Sequence, residues 1–212
     1  MHIVVCIKQV PGTNEVKINP ETNTLMREGV ESIINPFDEN ALEAALVLKD
    51  TIGAKVTVLS MGPPQVESAL KEAMGRGADN VVLLSDRAFA GADTLATSYV
   101  LAEGINALPE KADIIIFGKQ AIDGDTAQVG PGVAELLGLQ DITYVRKLEV
   151  VGSAVKVERV FEDGFERMES PMPVVLTVLK EMNVPRMASL KGKMRAKKET
   201  VKMMNANDIK AD

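Results

Sequence analysis

The sequence predicts a doubly wound α/β fold: a mostly parallel sheet with an antiparallel β extension and a C-terminal basic loop or arm. Three observations predict it. Between Ile3 and Gly138, short apolar runs alternate with stretches of helical periodicity, the pattern of parallel strands joined by right-handed crossovers. From Val145 to Val160 the pattern becomes a two-residue alternation with a turn at Gly152-Ser153, as in a hairpin. From Arg186 to Lys202 large apolar residues thin out while Arg186, Lys191, Lys193, Arg195, Lys197, Lys198 and Lys202 accumulate. That stretch reads as exposed loop or arm.

Taken in order, Ile3 to Val10 is the first strand. The first helix is the clearest: Asn35-Pro36-Phe37-Asp38 offers an N-cap and a proline at the first helical position. Leu42, Ala45, Leu46 and Lys49 then recur at helical spacing until Gly53 stops it. Val56 to Met61 is a strand, and a helix follows from about Pro64 to Arg76 with Gly77 as its stop. Val81 to Leu84 is the next strand. The third helix starts near Asp93-Thr94, either of which can cap it, and runs through Leu95, Tyr99, Ala102 and Ile105. Ile114 to Phe117 is a strand leading through a Gly- and Asp-rich turn to a helix at Val133 to Gly138. Met172 to Leu179 is a further β-rich run, expected in the antiparallel extension together with Val145 to Val160. There is no internal repeat.

Composition bounds the function. At 212 residues and 46% hydrophobic content the chain can bury a sizeable core. A net charge of −6 and 3% aromatics argue against a nucleic-acid surface. No apolar run approaches the ~20 residues of a membrane span, and the start reads as a strand rather than a leader. A single cysteine, Cys6, rules out an internal disulfide and suits a reducing cytoplasm. With one histidine, His2, there is no zinc-ligand set and no evident Cys–His pair.

The candidate site lies in the turns. Gly118-Lys119-Gln120-Ala121-Ile122-Asp123-Gly124-Asp125-Thr126-Ala127-Gln128-Val129-Gly130 joins a strand to a helix, so free backbone N–H groups and a helix N-terminus meet at one point. Such a point attracts the phosphates of a nucleotide. Its glycines allow close approach, and Thr126 and Gln128 add neutral donors. Asp123 and Asp125 would repel phosphate if aimed at it, so they are expected to cap the helix or bond a ribose. Three other loops follow strands: Cys6 to Thr13, Met61 to Pro64 and Asp86 to Thr94. In a doubly wound sheet all four gather at one edge.

At these residues the chain resembles the beta subunit of electron transfer flavoproteins. The matching stretches are Lys8-Gln9-Val10-Pro11, Asn35-Pro36-Phe37, Met61-Gly62-Pro63 and Gly118 to Asp123. Val157-Glu158-Arg159 through Pro173-Val174-Val175-Leu176-Thr177, and Arg186-Met187-Ala188-Ser189-Leu190 with Lys193 to Lys198, extend them to about residue 209. The resemblance implies a heterodimer with an alpha subunit that carries FAD, and a beta-subunit pocket that holds AMP in ordinary members. In a flavin-bifurcating subgroup the pocket holds a second FAD. NADH reduces it, one electron passes to ferredoxin or flavodoxin, and the other passes through the alpha FAD to a dehydrogenase of the acyl-CoA or lactate type. Carried over, the nucleotide contacts are Cys6, Asn35 to Asp38, Met61 and Gly118 to Val129. Residues 1–185 form the nucleotide-binding domain with its antiparallel extension; residues 186–212 form a partner-recognition loop and the start of an arm. In that loop Leu190, Lys191, Gly192, Lys193 and Met194 meet the partner dehydrogenase, with Leu190 as the apolar anchor. The family's arm continues past the region matching Asn205 to Ile209, onto the alpha subunit's flavin domain.

Two features resemble the bifurcating type. One is Asp123 to Pro131 as written here; the other is Asp86-Arg87-Ala88-Phe89-Ala90-Gly91-Ala92-Asp93-Thr94-Leu95-Ala96-Thr97, which AMP-type chains largely lack. An isoalloxazine needs room and hydrogen bonds along its N and O edge. Gly91 and Ala92 leave room, and Thr94 and Thr97, three apart on a helix's first turn, can face one ligand. Arg87 would hold flavin carbonyl charge or an NADH phosphate; Asp93 belongs to the same wall. The other reading is that the threonines only cap the helix and Arg87 pairs with Asp86. Cys6 would contribute backbone rather than a reactive thiol. No side chain is expected to be catalytic, since the redox chemistry belongs to FAD.

Overall fold

The computed structural model describes residues 1–12, 17–18, 25–26 and 32–211. Thr13, the end of the first expected loop, lies outside them. The chain runs β1 (His2–Cys6), β2 (Gln9–Pro11), β3 (Lys17–Ile18), β4 (Leu25–Met26), β5 (Ser32–Ile34), α1 (Pro36–Ile52), β6 (Lys55–Met61), α2 (Glu67–Arg76) and β7 (Asn80–Leu84). It continues α3 (Thr94–Asn106), β8 (Ile114–Gly118), α4 (Val129–Leu137), β9 (Gln140–Val151), β10 (Ala154–Phe161), β11 (Gly164–Pro171), β12 (Val174–Val178), α5 (Leu190–Lys198), β13 (Lys202–Met204) and α6 (Ala206–Ile209).

Nine strands form the main sheet in the order β11-β10-β9-β12-β8-β1-β6-β7-β13. All neighbours from β9 to β13 are parallel, while β10 pairs antiparallel with β9 and β11. The predicted fold class holds. Along β1, Ile3 and Val5 join the core beneath α1 and α2, whereas Val4 and Cys6 join the core beneath α3 and α4. A strand buried on both faces carries no polar alternation, which is why His2–Cys6 reads as one apolar run. The chain lays down β6 and β7 on one side of β1, then crosses back to place β8 on the other. Loops leaving β1 and β8 therefore diverge, and a crevice opens at their carboxyl ends.

The structure corrects four expectations. The Ile3 to Val10 run breaks after Cys6, and Gln9–Pro11 pairs antiparallel with β5 in a separate ribbon. The Met172 to Leu179 run is not part of the antiparallel extension: β12 inserts parallel between β8 and β9. All five of its residues are buried, and an unbroken apolar strand belongs inside a parallel sheet. Leu95 is 69% exposed, and the buried face of α3 starts at Ser98. The basic segment is not a loop. Leu190–Lys198 is a helix, capped by Ser189, whose hydroxyl accepts from Gly192 N–H at 3.0 Å. It is held on α2 by a small-residue contact and by Arg195, which donates to the Ala78 and Asp79 carbonyls at 3.0 and 2.7 Å. Neither device produces a hydrophobic stripe, so periodicity missed it.

Candidate functional site

A cavity of about 410 Å³ occupies the crevice, with Cys6, Met61 and Gly118 from the ends of β1, β6 and β8 in its lining. One wall is Gly91, Ala92, Asp93, Thr94 and Thr97; the facing wall is the Gly118 to Gly130 loop. Helices α3 and α4 both begin here, at Thr94 and Val129, so two positive helix ends address one space. Thr94 Oγ1 donates to Gln128 Oε1 at 3.1 Å and ties the walls together. Asp93 caps α3 by accepting from Ala96 N–H at 2.9 Å.

The first turn of α1 braces the opposite side. Asp38, 6% exposed, accepts from Lys8 N–H at 2.7 Å and from Gly118 N–H at 3.1 Å, spanning the ends of β1 and β8. Asn35 occupies the expected N-cap position, yet its side chain does not cap the helix. Its amide instead donates to Gln120 O at 2.8 Å and accepts from Ile122 N–H at 3.1 Å. Asn35 is fully buried, so this pair of bonds fixes the loop in place of water. Gly118 sits so close to α1 that a Cβ there would lie 2.6 Å from the Phe37 carbonyl carbon.

Burial pushes Asp38 up from 3.8 to about 7, against the pull of the Lys8 and Gly118 N–H bonds, the Asn35 amide and the Lys8 charge. Burial, and after it the Asp38 charge, also push the Cys6 thiol far above its ordinary value, which leaves it inert. The native chain therefore holds the Asp38 proton more tightly than the unfolded chain does. That favours folding fully below about pH 4, and the advantage is lost as pH rises through about 7. Wild-type stability measured relative to Asp38→Asn is accordingly expected to fall between about pH 4 and pH 7 in urea unfolding. A flat difference would show an ordinary carboxyl.

A larger concavity, about 690 Å³, lies between α1 and the β9–β11 extension. No α-helix begins in its lining, and several charges there are paired, Lys147 with Glu158 at 3.2 Å and Lys156 with Glu169 at 3.7 Å. It lacks the convergent donors of the crevice. Among the described residues no acidic, His or Cys cluster is arranged to hold a metal, and no helix is long and apolar enough to cross a membrane.

Residues 22–209 match the family described as the electron transfer flavoprotein domain. The whole chain is 59% identical to electron transfer flavoprotein subunit beta of Clostridium acetobutylicum and covers 81% of that protein. This chain is an electron transfer flavoprotein beta subunit. It is also 51% identical, over 99% of its length and 80% of the relative, to subunit CarD of the caffeyl-CoA reductase-Etf complex of Acetobacterium woodii. With protein FixA of Azorhizobium caulinodans it shares 49% identity over 98% of its length and 76% of that protein. The family recognised from the motifs is thus the right one, and its work is electron transfer.

Within this beta subunit most of the residues singled out in the sequence come together. Cys6, Asn35, Asp38, Met61, Gly91, Ala92, Asp93, Thr94, Thr97, Gly118 to Ala121, Gly124 and Thr126 to Val129 line the cavity. Pro36, Phe37, Arg87, Ile122, Asp123 and Asp125 do not. Phe37 packs behind Gly118, and Arg87 is exposed. Asp86 accepts from Ala88 and Ala206 N–H at 3.1 Å each, so it serves the backbone rather than Arg87. Asp123 and Asp125 do not cap α4: Asp123 pairs with Lys8 at 2.7 Å, and Asp125 accepts from the Gln120 amide. Sequence reasoning did not single out Ile7, Lys8, Phe89, Leu101 and Phe117 as lining, while Gly130 closes the stretch it did name. Lys8 sits in a loop already suspected. Phe89 and Leu101 are buried apolar residues whose spacing is that of any core residue.

Proposed function

We propose that this beta subunit pairs with an alpha subunit and holds FAD, not AMP, in the switch-point cavity. NADH is the electron donor, ferredoxin or flavodoxin the low-potential acceptor, and a dehydrogenase of the acyl-CoA or lactate type the second acceptor. The observation that carries the reading is the Gly91–Thr97 wall. It extends the cavity beyond the α4 N-terminus, where phosphates would bind, into a space edged by small residues and two threonine hydroxyls. The carboxylates in the lining, Asp38 and Asp93, are already bonded to backbone N–H groups, so the remaining lining suits a phosphorylated ligand.

Bound there, FAD would supply two-electron exchange with NADH and one-electron transfer to its acceptors. The protein's own part is to bind and orient. Backbone N–H groups at Val129 and Gly130 receive the phosphates. Thr97 offers a donor to the ring edge and Thr94, whose proton goes to Gln128, an acceptor, and Lys119 adds positive charge at the rim. The relative named as a subunit of a caffeyl-CoA reductase complex supports a CoA-ester partner. Helix α5 offers the docking surface for it, with Leu190 78% and Met194 55% exposed beside Lys191 and Lys193, an apolar anchor in a basic rim. Gly192 is the packing residue of that helix. Residues 186–212 form the recognition region and 1–185 the nucleotide domain, in the cytoplasm.

Co-expression with the alpha subunit, purification, and counting of FAD and AMP after acid release tests the reading. Two FAD and no AMP per heterodimer are expected. One FAD with one AMP would overturn it and leave AMP as a structural ligand.

A further inference from the structure

We propose that Asp38 is a positioning residue that sets the closure of the nucleotide cavity, and that a proton on its carboxylate frees the β8 loop. The inference rests on the nucleotide reading of the cavity but not on which nucleotide fills it.

The geometry carries it. Asp38 stands on the first turn of α1, and its two oxygens reach different strands: Oδ2 accepts from Lys8 after β1 and Oδ1 accepts from Gly118 at the end of β8. Those are the two strands that diverge at the crevice. Beside it, Asn35 holds Gln120 and Ile122 of the same loop. As a carboxylate, Asp38 is acceptor-only and both N–H groups are satisfied by charge-assisted bonds. A neutral carboxyl must place its proton on one oxygen. The bond to Gly118 is the longer, 3.1 against 2.7 Å, so the proton goes to Oδ1. That oxygen becomes a hydroxyl facing a donor, and the Gly118 bond weakens while the Lys8 bond stays.

Of the neighbouring charges Lys8 pulls the Asp38 carboxyl down, against burial, and the others are engaged elsewhere. Lys8 is paired with Asp123 at 2.7 Å, Lys119 lies 5.4 Å from the centroid of the Tyr144 ring, and Lys180 lies 4.8 Å from that of Phe37. Glu39, next on α1, is paired with Arg76 at 2.5 Å, and the Cys6 thiol stays neutral. Burial puts the Asp38 transition near neutrality, at about 7. The brace is therefore complete above that pH and relaxes below it.

The test uses the full heterodimer, stripped of nucleotide, titrated separately with FAD and with AMP between about pH 6 and pH 8.5. Residue-resolved hydrogen exchange is followed in parallel without ligand. For the wild type, affinity for the nucleotide that binds is expected to fall about tenfold toward pH 6, the loss of one charge-assisted bond. The Gly118 N–H protection factor, exchange taken relative to the intrinsic rate at each pH, should fall toward pH 6 while that of Lys8 N–H holds. Asp38→Asn should bind weakly at every pH, with low Gly118 protection throughout; Asp38→Glu should restore a pH-dependent profile. A wild-type affinity and Gly118 protection factor that do not change with pH, or an Asp38→Asn variant that keeps the wild-type profile, would overturn the proposal. AMP bound with this profile and FAD not bound would leave Asp38 in its role and remove only the flavin reading.

Discussion

Replacing Gly118 with alanine is expected to destabilise the chain by about 3 kcal/mol and to empty the nucleotide cavity. The added Cβ would lie 2.4 Å from Asp38 Oδ1 and 2.6 Å from both the carbonyl carbon and the Cβ of Phe37. None of these can swing aside. The carboxylate is bonded to two strands, and the carbonyl carbon belongs to the first turn of α1. Either β8 or α1 must move, and both the Asp38 and Asn35 braces stretch with it. Thermal unfolding should show a drop of roughly 6–12 °C, and the purified heterodimer should lack the beta-subunit nucleotide. Gly124→Ala supplies the control, since a Cβ there meets nothing within 4 Å; it should change stability by no more than about 0.5 kcal/mol. A Gly118→Ala protein with wild-type nucleotide content and melting temperature would refute the close-approach argument.

The second large effect is expected at Gly192. A Cβ there would lie 2.0 Å from the carbonyl oxygen of Gly75 and 2.9 Å from its carbonyl carbon. Backbone of α2 cannot yield, so α5 must lift, and Arg195 loses its bonds to Ala78 and Asp79. Gly192→Ala is expected to cost about 1–3 kcal/mol. Because α5 carries Leu190 and Met194, electron transfer to the partner dehydrogenase should slow by about tenfold or more. Nucleotide content should stay at its wild-type level, since the helix lies away from the crevice lining. Unchanged partner kinetics with a lowered melting temperature would mean that α5 is structural and the docking surface lies elsewhere.

Much of this was legible in the residues, and the gaps have physical causes. Strands buried on both faces announce themselves as apolar runs, and glycine stops such as Gly53, at φ +71°, announce helix ends. The loops rich in Gly, Asp and Thr led to the cavity because doubly wound topology gathers them at one edge. Interactions between distant polar groups gave no such sign. Nothing local tells Asn35 apart from an ordinary cap, or reveals that Asp123 would turn to Lys8 across 115 positions. Helix α5 stayed hidden because two glycines and an arginine hold it. The order of strands was also out of reach, and with it the interior position of β12.

That position has a consequence for how the protein is made. β8 lies between β1 and β12, and Ile114, Ile115 and Ile116 pair with Val174, Val175 and Leu176. During synthesis from the amino end, the isoleucine edge of β8 is complete long before its neighbour leaves the ribosome. Until residue 178 emerges, that edge is an open template for any passing strand. The far edge waits longer still, because β7 is covered only by Lys202 to Met204. Pairings so distant in sequence slow folding, and the Gly118 brace that shapes the crevice stands on the strand left waiting. A nascent chain stalled before residue 174 would thus expose the unpaired isoleucine edge of β8 and its unfinished binding site together.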